Sequence, residues 1–483
     1  MLLHLAWRRN HDSYDLALAA NRLASRGAPL WWLGASGPEH EPGDYLCEIE
    51  PHYVERLRAF GVVADEWTKE IPAEAVAIAH PRIGLYAQAG AGSGFVAFYA
   101  MALARLGYDC ALLDGAAIAG GALAGFDLLA LPGETSVWGL DAAEGITGAD
   151  AAVRDFLAEG GVAIGSGGGA FYLSTGRPGW SNVALARPVY THEYLRTGVG
   201  VVSLRLGADS IAFGCPPTVE MPFYHGPVFA EFDRAVSSAA SFDRLLMPGH
   251  LFVANPLDEG FFQREMAGHS GILRAESRRG RAVLFSANPE MGDVVRKYIA
   301  LDGYVPRYLP IRGTAAMVDA LRHYRPLDPP SWRLILNAIH SLMLRVETPG
   351  VKPAAPVPAQ PPEPKPRLVG SLGSGLRRMP LDDEETRREL IAGLRDDLLA
   401  RLAPLRERLD VVETAFAVLD PPAPGIRYLW AGCEAVALAT VSAARANDRP
   451  PTERLAAFET ALALAEAWCK LAEGERHFGR MMT

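Results

Sequence analysis

The clearest chemical pattern in the chain is Gly161-Val162-Ala163-Ile164-Gly165-Ser166-Gly167-Gly168-Gly169-Ala170-Phe171-Tyr172-Leu173. An apolar run of strand character stops in glycines, and a helix-compatible run follows. Such a sequence predicts a sharp strand-to-helix turn, where glycine tolerates positive φ and lets backbone or ligand come close. In many α/β hydrolytic and transferase folds the residue at the tip of this turn is the nucleophile. Here the tip is Gly167, which has no side chain, so no covalent acyl intermediate can form at that atom. Ser166 stands beside the tip, but neighbouring residues of a strand and elbow point in different directions. Backbone N–H groups from Ser166 to Gly169 form the start of a helix, a place that favours an anion. A small carboxylate or phosphate-bearing ligand is the expectation there, with Glu134 and Glu290 limiting its negative charge. The alternative is that Phe171 or Tyr172 fills the space.

The elements around this turn alternate strand and helix. Arg82-Ile83-Gly84-Leu85-Tyr86, Cys110-Ala111-Leu112-Leu113 and Leu128-Leu129-Ala130-Leu131 are continuous apolar runs, as parallel strands covered on both faces should be. A helix to about Leu106 follows Ala89-Gly90-Ala91-Gly92-Ser93-Gly94, whose spacing does not give a dinucleotide fingerprint and which is a tight strand-to-helix turn. Another helix is predicted over Ala151–Glu159. The fold class is therefore α/β, doubly wound and mostly parallel, of flavodoxin-like or amidotransferase-like form, with a ligand crevice at the carboxyl ends of the strands. Residues 181–290 are richer in strand signals, at 201–206, 226–229, 251–254 and 280–286. Helices are predicted over 313–323 and 330–346.

Four parts are expected. Residues 1–80 form a small α/β unit and residues 81–348 the main α/β domain. Residues 349–376 form an extended proline-rich linker. In residues 377–483, Leu390, Leu394, Leu398, Leu399 and Leu402 mark an apolar helical stripe, and three helices suggest an antiparallel bundle or a homodimerisation module.

Composition excludes several classes. A net charge of −9, with no basic tract, argues against nucleic-acid binding. No run of 18 apolar residues exists, so no membrane span is expected. Cys47, Cys110, Cys215, Cys433 and Cys469 are scattered without CxxC or metal spacing. Reduced thiols, a cytoplasmic location, and neither metal nor cofactor follow as expectations.

Residues 82–292 resemble a class I glutamine amidotransferase-like domain, in the branch with the biotin-protein-ligase N-terminal domain-like (BPL_N-like) proteins. The matching stretches are Ile83 to Gly94, Leu131-Pro132-Gly133, Gly165-Ser166-Gly167-Gly168-Gly169, Tyr224-His225-Gly226-Pro227 and Phe285-Ser286-Ala287-Asn288-Pro289-Glu290. In that family the elbow reads Gly-x-Cys-x-Gly and a later His-Pro-Glu completes a triad. The resemblance puts Gly167 at the cysteine, Asn288 at the histidine and Glu290 at the glutamate. The family's Pro-Gly-Gly oxyanion loop is here Pro132-Gly133-Glu134. Asparagine has no accessible pKa and cannot act as a general base. The resemblance thus implies a catalytically degenerate protein, a pseudoenzyme serving as a binding or assembly module. Its rival is a divergent hydrolase using Ser166 or Cys215 with His225, the polar residue whose loop borders the pocket in the family. Residues 1–140 also resemble the non-catalytic amidotransferase-like region attached to some zinc carboxypeptidase-like proteins. The peptidase part is missing, which implies a separately encoded enzyme as partner.

Overall fold

The computed structural model describes residues 1–87, 94–133, 135, 137–176, 182–183, 190–191, 197–231, 235–248, 255–277, 279–292 and 328–344. The expected turn at 89–93, Glu134, the strand at 251–254, the helix at 313–323, the linker at 349–376 and the helical region at 377–483 lie outside the described residues.

The first 80 residues build a five-stranded sheet from β1 (Leu2–Leu5), β2 (Leu30–Leu33), β3 (Tyr45–Glu48), β4 (Asp65–Glu66) and β5 (Ala75–Ala77), in the order β4-β1-β3-β2-β5 with every pair antiparallel. Helix α1 (Tyr14–Ser25) starts where the Ser13 side chain accepts from the Asp15 N–H at 3.2 Å, and the chain leaves it through Gly27 at φ 91°. Its Leu16, Ala17, Leu18, Ala19 and Ala20 are all buried. Helix α2 (Tyr53–Phe60) follows β3.

The second sheet has 11 strands among the described residues. Its parallel half comprises β6 (Ile83–Tyr86), β7 (Cys110–Leu113), β8 (Leu128–Leu131), β9 (Val162–Ser166) and, far along the chain, β16 (Gly280–Phe285), in the order β16-β9-β8-β6-β7. Every residue of β6, β8 and β9 is buried, which is why these strands read as unbroken apolar runs. Helices α3 (Gly94–Arg105), α4 (Gly115–Ala119), α5 (Leu140–Glu144), α6 (Ala149–Ala158) and α7 (Gly168–Leu173) fall between these strands.

Beyond β16 the sheet turns antiparallel, through β11 (Val199–Leu206), β12 (Thr218–Tyr224), β14 (Val236–Pro248) and β15 (Ser270–Ser277), in the order β12-β11-β14-β15-β16. The short strands β10 (Tyr190–Thr191) and β13 (Phe229–Glu231) pair beside β15. The sheet is therefore mixed, and the antiparallel half is larger than a mostly parallel sheet would have. The reason is the connections. Two residues join β15 to β16, too few for the crossover that parallel neighbours require.

Helix α8 (Glu259–Phe261) is a single turn, and α9 (Pro330–Leu342) is buried along almost its whole length. One contiguous apolar core runs from Leu3, Leu16 and Trp32 through Ile83, Phe98 and Val283 to Leu334 and Ile339, so the two sheets share it. Among the described residues no helix is long and apolar enough to cross a membrane.

Register positions the site. Leu131 pairs with Gly165, and Ser166 with Phe285. The carboxyl ends of β8, β9 and β16 therefore stop level, and Gly133, Gly167 and Asn288 leave the sheet side by side.

Candidate functional site

The elbow is formed as its glycines require. Gly167 has φ 49° and ψ −112°, a conformation that L side chains adopt only under strain. A Cβ at Gly169 would lie 2.1 Å from the Leu131 carbonyl oxygen, so α7 can seat on the sheet only with glycine there.

A Cβ at Gly167 would point towards Asn288, 3.0 Å from Nδ2 and 3.6 Å from Oδ1. Asn288 is fully buried and held at both ends. Its Nδ2 donates to Glu290 Oε1 at 3.1 Å, and its Oδ1 accepts from the Tyr224 backbone N–H at 3.1 Å. The Asn288 N–H donates to the Pro222 carbonyl at 2.9 Å, which ties the loop after β16 to the end of β12. Gly167, Asn288 and Glu290 are thus brought together in one line.

Glu290 is buried completely, with the Asn288 amide, the Ser166 hydroxyl and the Gly133 and Glu290 backbone N–H groups about its carboxyl. Burial pushes its carboxyl up to about 7, against the opposing pull of the Asn288 amide. Near it, Ser166 Oγ lies 3.3 Å from the Tyr99 hydroxyl, and burial together with the Glu290 charge holds that phenol well above its ordinary value. Ser166 is itself fully buried, and its hydroxyl lies between Tyr99 on α3 and the Glu290 carboxyl.

The first two N–H groups of the elbow are occupied. Gly167 N–H donates to the Phe285 carbonyl at 2.9 Å, and Gly168 N–H to the Gly133 carbonyl at 3.1 Å. Gly133 also packs tightly: a Cβ there would lie 2.4 Å from the Phe95 ring and 2.6 Å from Asn288 Nδ2. The volume above the tip is thus bounded by Gly133, the Asn288 amide and Phe95. Tyr172 points elsewhere and donates to Asp150 at 2.7 Å, while Phe171 is buried in the core.

His225 lies at the edge of this arrangement. Its ring meets Tyr224 edge-on at 5.0 Å, and Tyr224 in turn meets Phe95 at 5.4 Å. It holds φ 50°, unusual for a residue with a side chain, and its N–H donates to the Gly198 carbonyl at 2.8 Å. Burial pushes its imidazole down to about 4, so it is neutral at pH 7. Cys215 precedes β12 while His225 follows it, and the seven residues of that strand separate them by roughly 23 Å. Burial pushes the Cys215 thiol up to about 12. The Ser166 hydroxyl is directed to Tyr99 and Glu290, and Cys215 lies at the other end of β12 from His225.

Phe95, Tyr99 and Tyr224 were not singled out by chemical type. Phe95 and Tyr99 are four residues apart on α3, and that spacing was the available signal. Among the described residues no cluster of three or more His, Cys, Asp or Glu is placed to hold a metal.

No protein-family model and no curated protein matches the chain. Several solved structures are similar in fold. A glutamine amidotransferase shares 17% identity, covering 46% of this chain and 98% of its own, with a TM-score of 0.31. PurLQS from Thermotoga maritima shares 13% over 54% of this chain and 99% of its own, with a TM-score of 0.33. A β-galactosidase from Bacillus circulans sp. alkalophilus shares 8% over 44% of this chain and 29% of its own, with a TM-score of 0.26.

Proposed function

We propose that the chain is a catalytically degenerate class I glutamine amidotransferase-like protein, of the biotin-protein-ligase N-terminal domain-like branch, that works as a binding or assembly module. The observation that carries this reading is the line from the elbow tip through Asn288 to Glu290. The built Cβ of Gly167 faces the Asn288 amide at 3.0 Å, and that amide donates to Glu290 at 3.1 Å. A nucleophile, a base and an orienting carboxylate would need this order. Glycine stands where the thiol would be, and an amide, which cannot take a proton at neutral pH, stands where the imidazole would be.

The oxyanion donors support the same reading. Stabilising a tetrahedral oxyanion needs backbone N–H groups aimed at an empty position. Gly168 N–H is instead paired to the Gly133 carbonyl. A small carboxylate or phosphate at the elbow would have to displace that carbonyl. Partner contacts through the helical region at 377–483 belong to the same proposal.

The test is glutamine hydrolysis, followed as glutamate release. The wild type and Gly167→Cys are expected to show none, because Asn288 cannot deprotonate the new thiol. Gly167→Cys with Asn288→His is expected to give a trace. Turnover by the wild type would refute the degenerate reading, and robust turnover by the single variant would show that another residue serves as base.

A further inference from the structure

The seam between the antiparallel sheet and α9 holds polar atoms that the elbow does not use. Trp32 on β2 and Tyr45 on β3 are direct cross-strand partners, so they share one face of the sheet. Facing them on α9 are Arg333, Asn337 and His340, spaced i, i+4, i+7 along one side of the helix. The His340 ring meets Trp32 edge-on at 5.4 Å and Tyr45 edge-on at 5.4 Å. The Arg333 guanidinium lies 3.2 Å over the Trp7 ring, which is 6.1 Å from Tyr45.

All four polar side chains are removed from solvent: Trp32 is 2% exposed, Tyr45 0%, Arg333 5% and His340 2%. Yet Trp32 Nε1, Arg333 Nη2 and both His340 ring nitrogens have no hydrogen-bond partner, and the Tyr45 hydroxyl has only the Trp7 indole beside it, a donor that leaves its own O–H unspent. Buried polar atoms are rarely left so, and this many in one seam call for an explanation. Asn337 does not answer the need. Its Nδ2 is spent on the Ile211 and Phe213 carbonyls, and its Oδ1 accepts only from Arg333 Nε, at 3.3 Å.

The chemistry of the atoms selects the occupant. An indole N–H and a guanidinium only donate, a phenol can donate, and a neutral imidazole contributes one N–H more. Burial and the Arg333 charge push His340 down to about 3, so Arg333 is the one cation of the cluster. Among the described residues no carboxylate lies within ion-pair distance of Arg333. Asp12 acts on it only through space, and the Cys215 thiol beside it is held protonated at neutral pH. A buried cation surrounded by donors needs a negative charge that is not part of the side-chain set. Glycine makes the approach close. Side chains at Gly43 or Gly214 would come within 2.9 Å and 2.8 Å of Arg333 Nη2, and both residues hold positive φ.

We propose that this seam is an interior binding site for a small monoanion, held by Arg333 with Trp32, Tyr45 and His340 as neutral donors. It is independent of the elbow and of whether the elbow is degenerate. The site would couple anion binding to the packing of the first 80 residues on α9.

Titrating the full-length protein with sodium formate and, separately, sodium chloride at constant ionic strength tests this by calorimetry and thermal unfolding. The expected result is a saturable heat and a saturable rise in Tm for at least one of the two, which also tells an oxyanion site from a halide site. Arg333→Gln should abolish the response. Trp32→Phe and Tyr45→Phe keep the rings, remove one donor each, and should each weaken affinity about tenfold if that donor contacts the anion. Because Arg333→Gln could fail to fold, these two variants also decide alone. No response to either anion, a response that survives in Arg333→Gln, or unchanged affinity in both donor deletions would overturn the proposal.

Discussion

Glu290 makes folding stability depend on pH in a direction opposite to that of most carboxylates. Its carboxyl titrates at about 7 in the folded chain, against an ordinary value of 4.5. A raised acid pKa means that the native state binds the proton more tightly than the unfolded state does. Between those two values the native state carries the extra proton, so stability falls as pH rises. The difference of 2.5, at 1.36 kcal/mol each, gives a penalty of about 3 kcal/mol above pH 7 that is absent below pH 4.5. Glu290→Gln replaces the carboxyl by a neutral group of the same shape whose oxygen can still accept from Asn288. The variant should match the wild type near pH 4 and exceed its stability by about 3 kcal/mol at pH 8. Urea unfolding of both proteins at half-unit steps from pH 4 to 8.5 measures this. Taking the difference cancels every other titrating group. A flat difference curve would refute the reasoning, and so would a curve on which the variant loses ground as pH rises.

The elbow glycines should separate by mechanism. Gly167→Ala costs backbone strain of about 1–3 kcal/mol, because φ is 49° there, and its Cβ comes only to 3.0 Å from the end of the Asn288 side chain. Gly169→Ala drives a methyl into a backbone carbonyl of β8 and should cost on the order of 4 kcal/mol or more, read as a larger drop in the urea midpoint. Thiol labelling tests the buried Cys47 and Cys110 and the half-buried Cys215, each pushed up to about 12. At pH 8 in the native protein iodoacetamide should leave all three unmodified by mass spectrometry, and rapid labelling of Cys215 would revive it as a nucleophile.

What could be read from the sequence follows from burial. Strands β6, β8 and β9 are covered on both faces and show as apolar runs. Strand β14 was not read at all, because its register shifts between Ser238 and Ala240 and again before Ser241, which destroys the two-residue alternation. Gly167, Asn288 and Glu290 could be aligned from their motifs, and the structure brings them together. The direction of one carbonyl could not be foreseen. The elbow N–H groups were expected to stand open, and Gly133 turns its oxygen onto Gly168. The seam on α9 was invisible for another reason: its parts are drawn from residues 7, 32, 45, 333 and 340, and no local pattern joins them.

Helix α9 carries a consequence for synthesis. It lies against residues made some 300 positions earlier, and the Tyr14 hydroxyl donates to the Pro329 carbonyl at 2.7 Å. The first 80 residues leave the ribosome long before their cover exists. From residue 80 to residue 342 is 262 residues, roughly 13–50 s of translation at 5–20 residues per second. For that interval Trp32 and Tyr45 on the sheet, and Trp7 just beyond β1, lack the cover of α9. A nascent chain halted before residue 330 should therefore display an aromatic face that chaperones bind and that the completed protein hides.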